Sequence, residues 1–143
     1  MFVSDILAQK GNFVFTVTPD TTVAQVAQEL SARRIGAVLV LEDADTVIGV
    51  VSERDLVRVL SERGAAALDL RAREIMTGAV VTCDPDDSID EVMAAMTRGR
   101  FRHVPVVRHG ELLGLVSIGD VVKARLVEAE VETEALRAYI VAS

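Results

Sequence analysis

The chain has little of the chemistry that most often announces a function. Cys83 is the only cysteine in 143 residues, which excludes an intrachain disulfide and any thiolate cluster. Tryptophan is missing and aromatics are 3% of residues, so the core has to be built from Val, Leu, Ile, Ala and Met. The two histidines, His103 and His109, flank a strand and a turn, which is not metal-ligand spacing. The chain has no Cys-x-x-Cys, His-x-x-x-His, Gly-x-Ser-x-Gly or phosphate-loop motif. Cys83 stands beside Asp84 with no cationic neighbour to activate its thiol, and it reads as a small core or strand residue. The expectation is a protein that is not an enzyme and needs no metal.

Positive charge is also short. Fifteen Lys and Arg against 22 Asp and Glu leave a net charge of −7. Nucleic acid is therefore not an expected partner, because phosphate backbones need a basic face. A small anion in a local pocket stays possible. Apolar runs such as residues 37–41 span about five residues, against the roughly 20 of a membrane helix. The N-terminal residues lack a basic stretch followed by an apolar one, so no signal peptide is expected. The chain reads as a soluble, cytoplasmic protein without membrane contact, long enough for one sizeable core.

What is present is a repeat. Gly49-Val50-Val51-Ser52-Glu53-Arg54-Asp55 returns as Gly114-Leu115-Val116-Ser117-Ile118-Gly119-Asp120, at an offset of 65. Pro19-Asp20-Thr21-Thr22-Val23 returns as Pro85-Asp86-Asp87-Ser88-Ile89, at an offset of 66. A period this long is a whole supersecondary unit rather than a solenoid turn. Each copy reads as β-α-β-β-α. In the first, residues 14–17 form a strand, Thr22 and Gln25 a capping box, and Val23, Val26, Ala27 and Leu30 one helix face. Residues 37–41 and 47–51 form a hairpin, and a helix starts near Glu53. In the second copy Ser88 and Glu91 form the box, Ile89, Val92, Met93 and Met96 the stripe, and His109-Gly110 the hairpin turn. Gly64 breaks an Ala-rich helical connection. Ser4-Asp5-Ile6-Leu7 and Arg73-Glu74-Ile75-Met76 are matching lead-in segments, the first longer by three residues around Gln9-Lys10-Gly11. Residues 121–143 lack Gly and Pro and read as one long helix whose apolar residues call for a partner surface.

The duplicated Gly-x-Val-Ser-x-x-Asp segments and the strand Arg102-His103-Val104-Pro105-Val106-Val107 resemble a pair of CBS domains, also called a Bateman module. The resemblance covers roughly residues 3–127 and is nearest to small stand-alone bacterial members of that family. It implies an α/β (α+β) fold: tandem β-α-β-β-α repeats packed with pseudo-twofold symmetry, here with a long C-terminal helix. The repeats divide as residues 1–71 and 72–143.

The resemblance also implies an adenosine-containing ligand: AMP first, then ADP, ATP, NAD(H) or S-adenosylmethionine. It implies no catalysis. By position, Asp120 and Ser117 would read ribose in one cleft, with Asp55 and Ser52 in the other. A carboxylate suits a diol because it only accepts hydrogen bonds. The base would lie against the other repeat, which brings in Phe15, Ile35 and Gly36 for the Asp120 cleft. For the Asp55 cleft it brings in Val80, Phe101 and Arg102. Arg102 and His103 take the position of the family's phosphate-binding basic residues. Their counterparts are Gly36 and Ala37, so in the first repeat Arg54 would have to substitute. Ser-x-x-Asp between a strand and a helix is equally a plain capping arrangement. Family members commonly dimerise through helix faces and act on other proteins, so a homodimer and an unknown protein target are expected. The alternative is a ligand-free structural or protein-interaction module.

Overall fold

The computed structural model describes residues 1–142. In chain order the elements are α1 (Val3–Lys10), β1 (Thr16–Val17), α2 (Val23–Arg33), β2 (Ala37–Leu41), β3 (Val47–Ser52) and α3 (Glu53–Arg63). A 3-10 turn (Gly64–Asp69) leads to α4 (Ala72–Ile75), α5 (Ile89–Gly99), β4 (His103–Arg108), β5 (Glu111–Ser117) and α6 (Ile118–Ala142). No described helix is long and apolar enough to cross a membrane.

The chain divides into two compact units, each with its own apolar core. One unit holds residues 13–81 and 109–112, and the other holds 1–12, 82–108 and 113–143. The division crosses the sequence repeats, because each lead-in helix belongs to the unit of the other repeat.

In the unit of residues 13–81, β1 pairs parallel to β2, and β2 pairs antiparallel to β3 with Leu39 opposite Val50. Parallel and antiparallel neighbours on β2 leave Val38, Leu39 and Val40 fully buried. The α2 stripe of Val23, Val26 and Leu30 packs on this sheet together with Leu56, Val59, Ala72 and Ile75. Thr22 and Gln25 close their capping box as expected, the Gln25 N–H donating to Thr22 Oγ1 and the Thr22 N–H to Gln25 Oε1. Gly64 stops α3 at a positive φ of 60°. The expected strand at 14–17 contracts to Thr16–Val17, although the Leu39 N–H still donates to the Phe15 carbonyl.

The other unit is built the same way from β4, β5, α5 and α6. Val104, Val106, Val116, Ile89, Val92, Met96 and Val121 make its core with α1. Cys83 lies in that core, and burial followed by the Asp87 and Asp84 charges pushes its thiol up to about 12. Its repeat's first strand contracts further, to a single parallel bridge between Cys83 and Val106. Ser88 accepts from the Glu91 N–H.

Three equivalent hydrogen bonds show how the lead-ins are exchanged. Val3 N–H donates to the Asp87 carbonyl, Ser4 N–H to Pro85 and Ile89 N–H to Met1, at 2.9, 3.0 and 3.2 Å. In the other unit Ala72 N–H donates to Thr21, Arg73 N–H to Pro19 and Val23 N–H to Leu70, at 2.7, 3.1 and 2.9 Å. The turn Pro-Asp before α2 or α5 thus exposes carbonyls that a lead-in from elsewhere in the chain satisfies. The same exchange explains the motif glycines. A Cβ on Gly114 would lie 2.7 Å from Leu7 Cδ2, and one on Gly49 would lie 2.7 Å from Met76 Cγ. Each glycine lets a lead-in side chain cross its strand.

Candidate functional site

The candidate site forms where β5 runs into α6. Ser117 is extended and ends the strand, so its hydroxyl meets the first free N–H groups of the helix. The Asp120 N–H donates to Ser117 Oγ at 3.2 Å, and the Ser117 N–H donates to Asp120 Oδ2 at 2.9 Å. The capping role foreseen for Ser-x-x-Asp is therefore present. The Ile118 N–H donates to the Arg102 carbonyl at 2.8 Å, which ties the segment of Phe101 and Arg102 to the same helix start.

Lys10 adds what the motif alone does not contain. Its Nζ donates to Asp120 Oδ2 at 2.6 Å and to the Leu115 carbonyl at 2.9 Å. Burial raises the Asp120 carboxyl, but hydrogen bonds from Lys10 and the Ser117 backbone outweigh it and hold it below its ordinary value. Asp120 is thus an anion with Oδ2 engaged, while Oδ1 makes no hydrogen bond. A cavity of about 100 Å³ opens beside it, lined by Asp120, Lys10, Lys123 and Asp5 among others. Arg102 is exposed and makes no ion pair, and Phe101 packs on the core below. His103 begins β4 and is half-buried.

The matching place in the other unit differs. The Glu53 N–H donates to the Gly36 carbonyl at 3.0 Å, the counterpart of the Ile118–Arg102 bond. This confirms the alignment of Arg102-His103 with Gly36-Ala37. Asp55 is only 6% exposed. Its Oδ2 accepts from the Ser52 N–H and Oγ at 2.8 and 3.0 Å, and its Oδ1 lies 3.2 Å from the Arg58 guanidinium. Both oxygens are in use within the capping turn. Arg54 points outward with no ion pair. Phe15 stacks edge-on to Phe13 and lies 4.3 Å under Arg33, a cation–π contact. Ile35 packs against the core, and Val80 is half-buried.

The structure therefore gathers Asp120, Ser117, Arg102, Phe101 and His103 in one unit, and Asp55, Ser52, Arg54, Ile35, Gly36, Phe15 and Val80 in the other. Lys10 and Arg58 were not foreseen. The three extra residues of the first lead-in were the available signal for Lys10. In this longer lead-in α1 runs to eight residues and reaches Lys10, against four residues in α4. Arg58 sits three residues after Asp55 on α3, a spacing that places the two side chains on one face. Among the described residues no group of three His, Cys, Asp or Glu side chains is placed to hold a metal.

A CBS-domain protein from Agrobacterium tumefaciens has a crystal structure 47% identical to this chain, with a TM-score of 0.84. The match covers 87% of this chain and 99% of that one. Two more distant structures share the fold. CBSX2, solved in complex with AMP, is 24% identical at a TM-score of 0.73, over 90% of this chain and 98% of that one. The CBS domain pair of protein MJ0100, solved with 5′-methylthioadenosine and S-adenosyl-L-methionine, is 22% identical at 0.77, over 87% and 98%. The family model for the CBS domain matches residues 3–62 and 72–127, one match for each copy of the repeat. With two such matches and the β-α-β-β-α units in place, this chain belongs to the CBS-domain family and carries a pair of CBS repeats.

Proposed function

We propose that this chain is a regulatory, non-catalytic module that binds an adenosine-containing ligand through Asp120, with AMP the first candidate. The observation that carries the reading is the state of the Asp120 carboxylate: ionised, half-buried, with Oδ1 unengaged beside a small cavity. An anionic acceptor whose bonds to Lys10 and the Ser117 backbone both fall on Oδ2 presents its other oxygen to what a ribose diol can donate. Arg102, exposed, without an ion pair and tied through its carbonyl to the first residue of α6, is the group for a phosphate. The distant CBS pairs that hold AMP, 5′-methylthioadenosine and S-adenosyl-L-methionine share adenosine as their common group, which supports the choice of ligand class. The module works in the cytoplasm as a homodimer that changes its contacts with a target protein when the ligand binds.

A second reading holds for the first repeat. Asp55 has both oxygens committed to its own helix and is buried, which favours a structural cap and an empty site there. Mass spectrometry of small molecules released from the purified protein, followed by calorimetry with AMP, ATP, NAD and S-adenosylmethionine, tests both readings. The expected result is an adenosine compound released and AMP bound at one site per chain. No released nucleotide and no heat with any of the four would overturn the ligand reading.

A further inference from the structure

Helix α6 carries a row of residues that the folded chain leaves uncovered. Gly119, Val122, Leu126, Ala129, Thr133 and Leu136 follow alternating steps of three and four, which keeps them on one line along a helix. All six are exposed, with Val122 at 44%, Leu126 at 61% and Leu136 at 60%. The residues that α6 turns to its own core are others, among them Val121 and Ala124. The row begins in a hollow of about 510 Å³ over Gly119, Val122 and Leu126. A Cβ on Gly119 would meet only Ser117 Oγ, at 3.6 Å. The one hydroxyl in the row is satisfied, because Thr133 Oγ1 donates to the Ala129 carbonyl of its own helix.

We propose that this row is an antiparallel helix seam between two copies of the chain, centred between Val127 and Glu128. The proposal rests on the homodimer reading above and names its surface. Two observations select the partner and its direction. The first is size. Turning a second α6 end to end about that centre sets Leu126 against the partner subunit's Ala129 and Val122 against the partner subunit's Thr133. It also places the partner subunit's Leu136 in the hollow over Gly119. The Leu126–Ala129 and Leu136–Gly119 layers then each join a large side chain to a small one, and the Val122–Thr133 layer joins two of similar size. A parallel, in-register pair would stack Leu on Leu and Ala on Ala, alternating crowding with gaps.

The second observation is charge. Lys123 and Arg125 flank the row at one end, and Glu130 and Glu132 flank it further along. The antiparallel register sets Lys123 against the partner subunit's Glu130 and Arg125 against the partner subunit's Glu132, each twice by symmetry. Lys123, Glu130 and Glu132 make no ion pair within the described chain. Arg125 already holds Glu128 and Asp90, so its new contact extends a network. A slip of one heptad would oppose Glu130 to the partner subunit's Glu130 and Lys123 to the partner subunit's Arg137, so like charges guard the register.

Sedimentation of the full chain without nucleotide tests the seam. The parent is expected to be a dimer at micromolar concentration. Leu136→Lys should weaken it on the order of 100-fold or more, because each dimer loses two buried leucines. Lys123→Glu should weaken the dimer severalfold, and adding Glu130→Lys to it should restore it. A mixture of Val122→Cys and Thr133→Cys chains should form disulfide-linked dimers on oxidation. Neither variant should link alone, since identical positions would lie about 16 Å apart along the axis. The buried Cys83, its thiol pushed up to about 12, stays silent in that assay. A monomeric parent overturns the dimer and the seam together. A dimer indifferent to Leu136→Lys, or one in which Val122→Cys links to itself, overturns this seam while the homodimer reading survives. AMP calorimetry on the parent and the Leu136→Lys chain, whose change lies outside the cavity beside Asp120, scores the ligand reading separately.

Discussion

Replacing Asp120 with alanine separates its two roles, because the structure assigns different bonds to each. The cap survives in part, since Ser117 Oγ still accepts from the backbone N–H of residue 120. The Ser117 N–H loses its acceptor, which costs about 1 kcal/mol, the usual worth of a cap bond. The Lys10 contact joins side chains 36% and 24% exposed, so its loss adds only about 0.2–1 kcal/mol. The variant should therefore stay folded, with its stability lowered by about 1–2 kcal/mol. Ligand binding should suffer more. Hydrogen bonds from a ribose diol to a charged acceptor are worth about 1.5–3 kcal/mol, or about 10- to 150-fold in affinity. Asp120→Asn keeps a neutral acceptor and should fall between variant and parent. Titration calorimetry with AMP, paired with urea unfolding of the same samples, measures both quantities. A folded Asp120→Ala chain that binds AMP within about twofold of the parent, well short of the loss worked out above, would refute ribose recognition by this carboxylate.

Two further outcomes follow from the packing and the charge. Gly114→Ala forces a Cβ to within 2.7 Å of Leu7 Cδ2 and should destabilise the fold by about 1–3 kcal/mol. Combined with Leu7→Ala it should cost less than the sum of the two single changes, and additive urea midpoints would show that the lead-in does not cross this glycine. Lys10→Met tests the ion pair through pH. The folded-state carboxyl of Asp120 is held low, so its stabilisation is present above its ordinary pKa and fades as pH falls through the folded value. The parent should exceed Lys10→Met in stability from about pH 5 upward, and the margin should shrink as pH falls below the ordinary carboxylate range. An equal margin at pH 3 and pH 7 in denaturant unfolding would refute the assignment.

Much of this protein is local and could be read from the chain. The repeat, the hairpins, the stripe of Val23, Val26 and Leu30, the Thr22 cap and the break at Gly64 depend on residues within a turn or two of each other. So does the Ser117–Asp120 box, since a strand end followed by Ser-x-x-Asp closes on itself. Tertiary structure decided what distant residues do. Strand lengths were one such case: residues 14–17 read as a strand by propensity, yet only Thr16 and Val17 pair with β2, and the second repeat keeps a single bridge at Cys83. The exchange of lead-ins was another. Val3 finds Asp87 and Ala72 finds Thr21 across tens of residues, and nothing within either segment specifies that partner. Only this exchange gives Gly49 and Gly114 their reason, and only it carries Lys10 to Asp120. The two motif aspartates are alike in sequence, yet one is buried and fully engaged while the other keeps an oxygen free. That difference comes from Arg58 one turn along α3 and from Lys10 on a helix 110 residues away, because a carboxylate's availability is set by the donors that surround it in space.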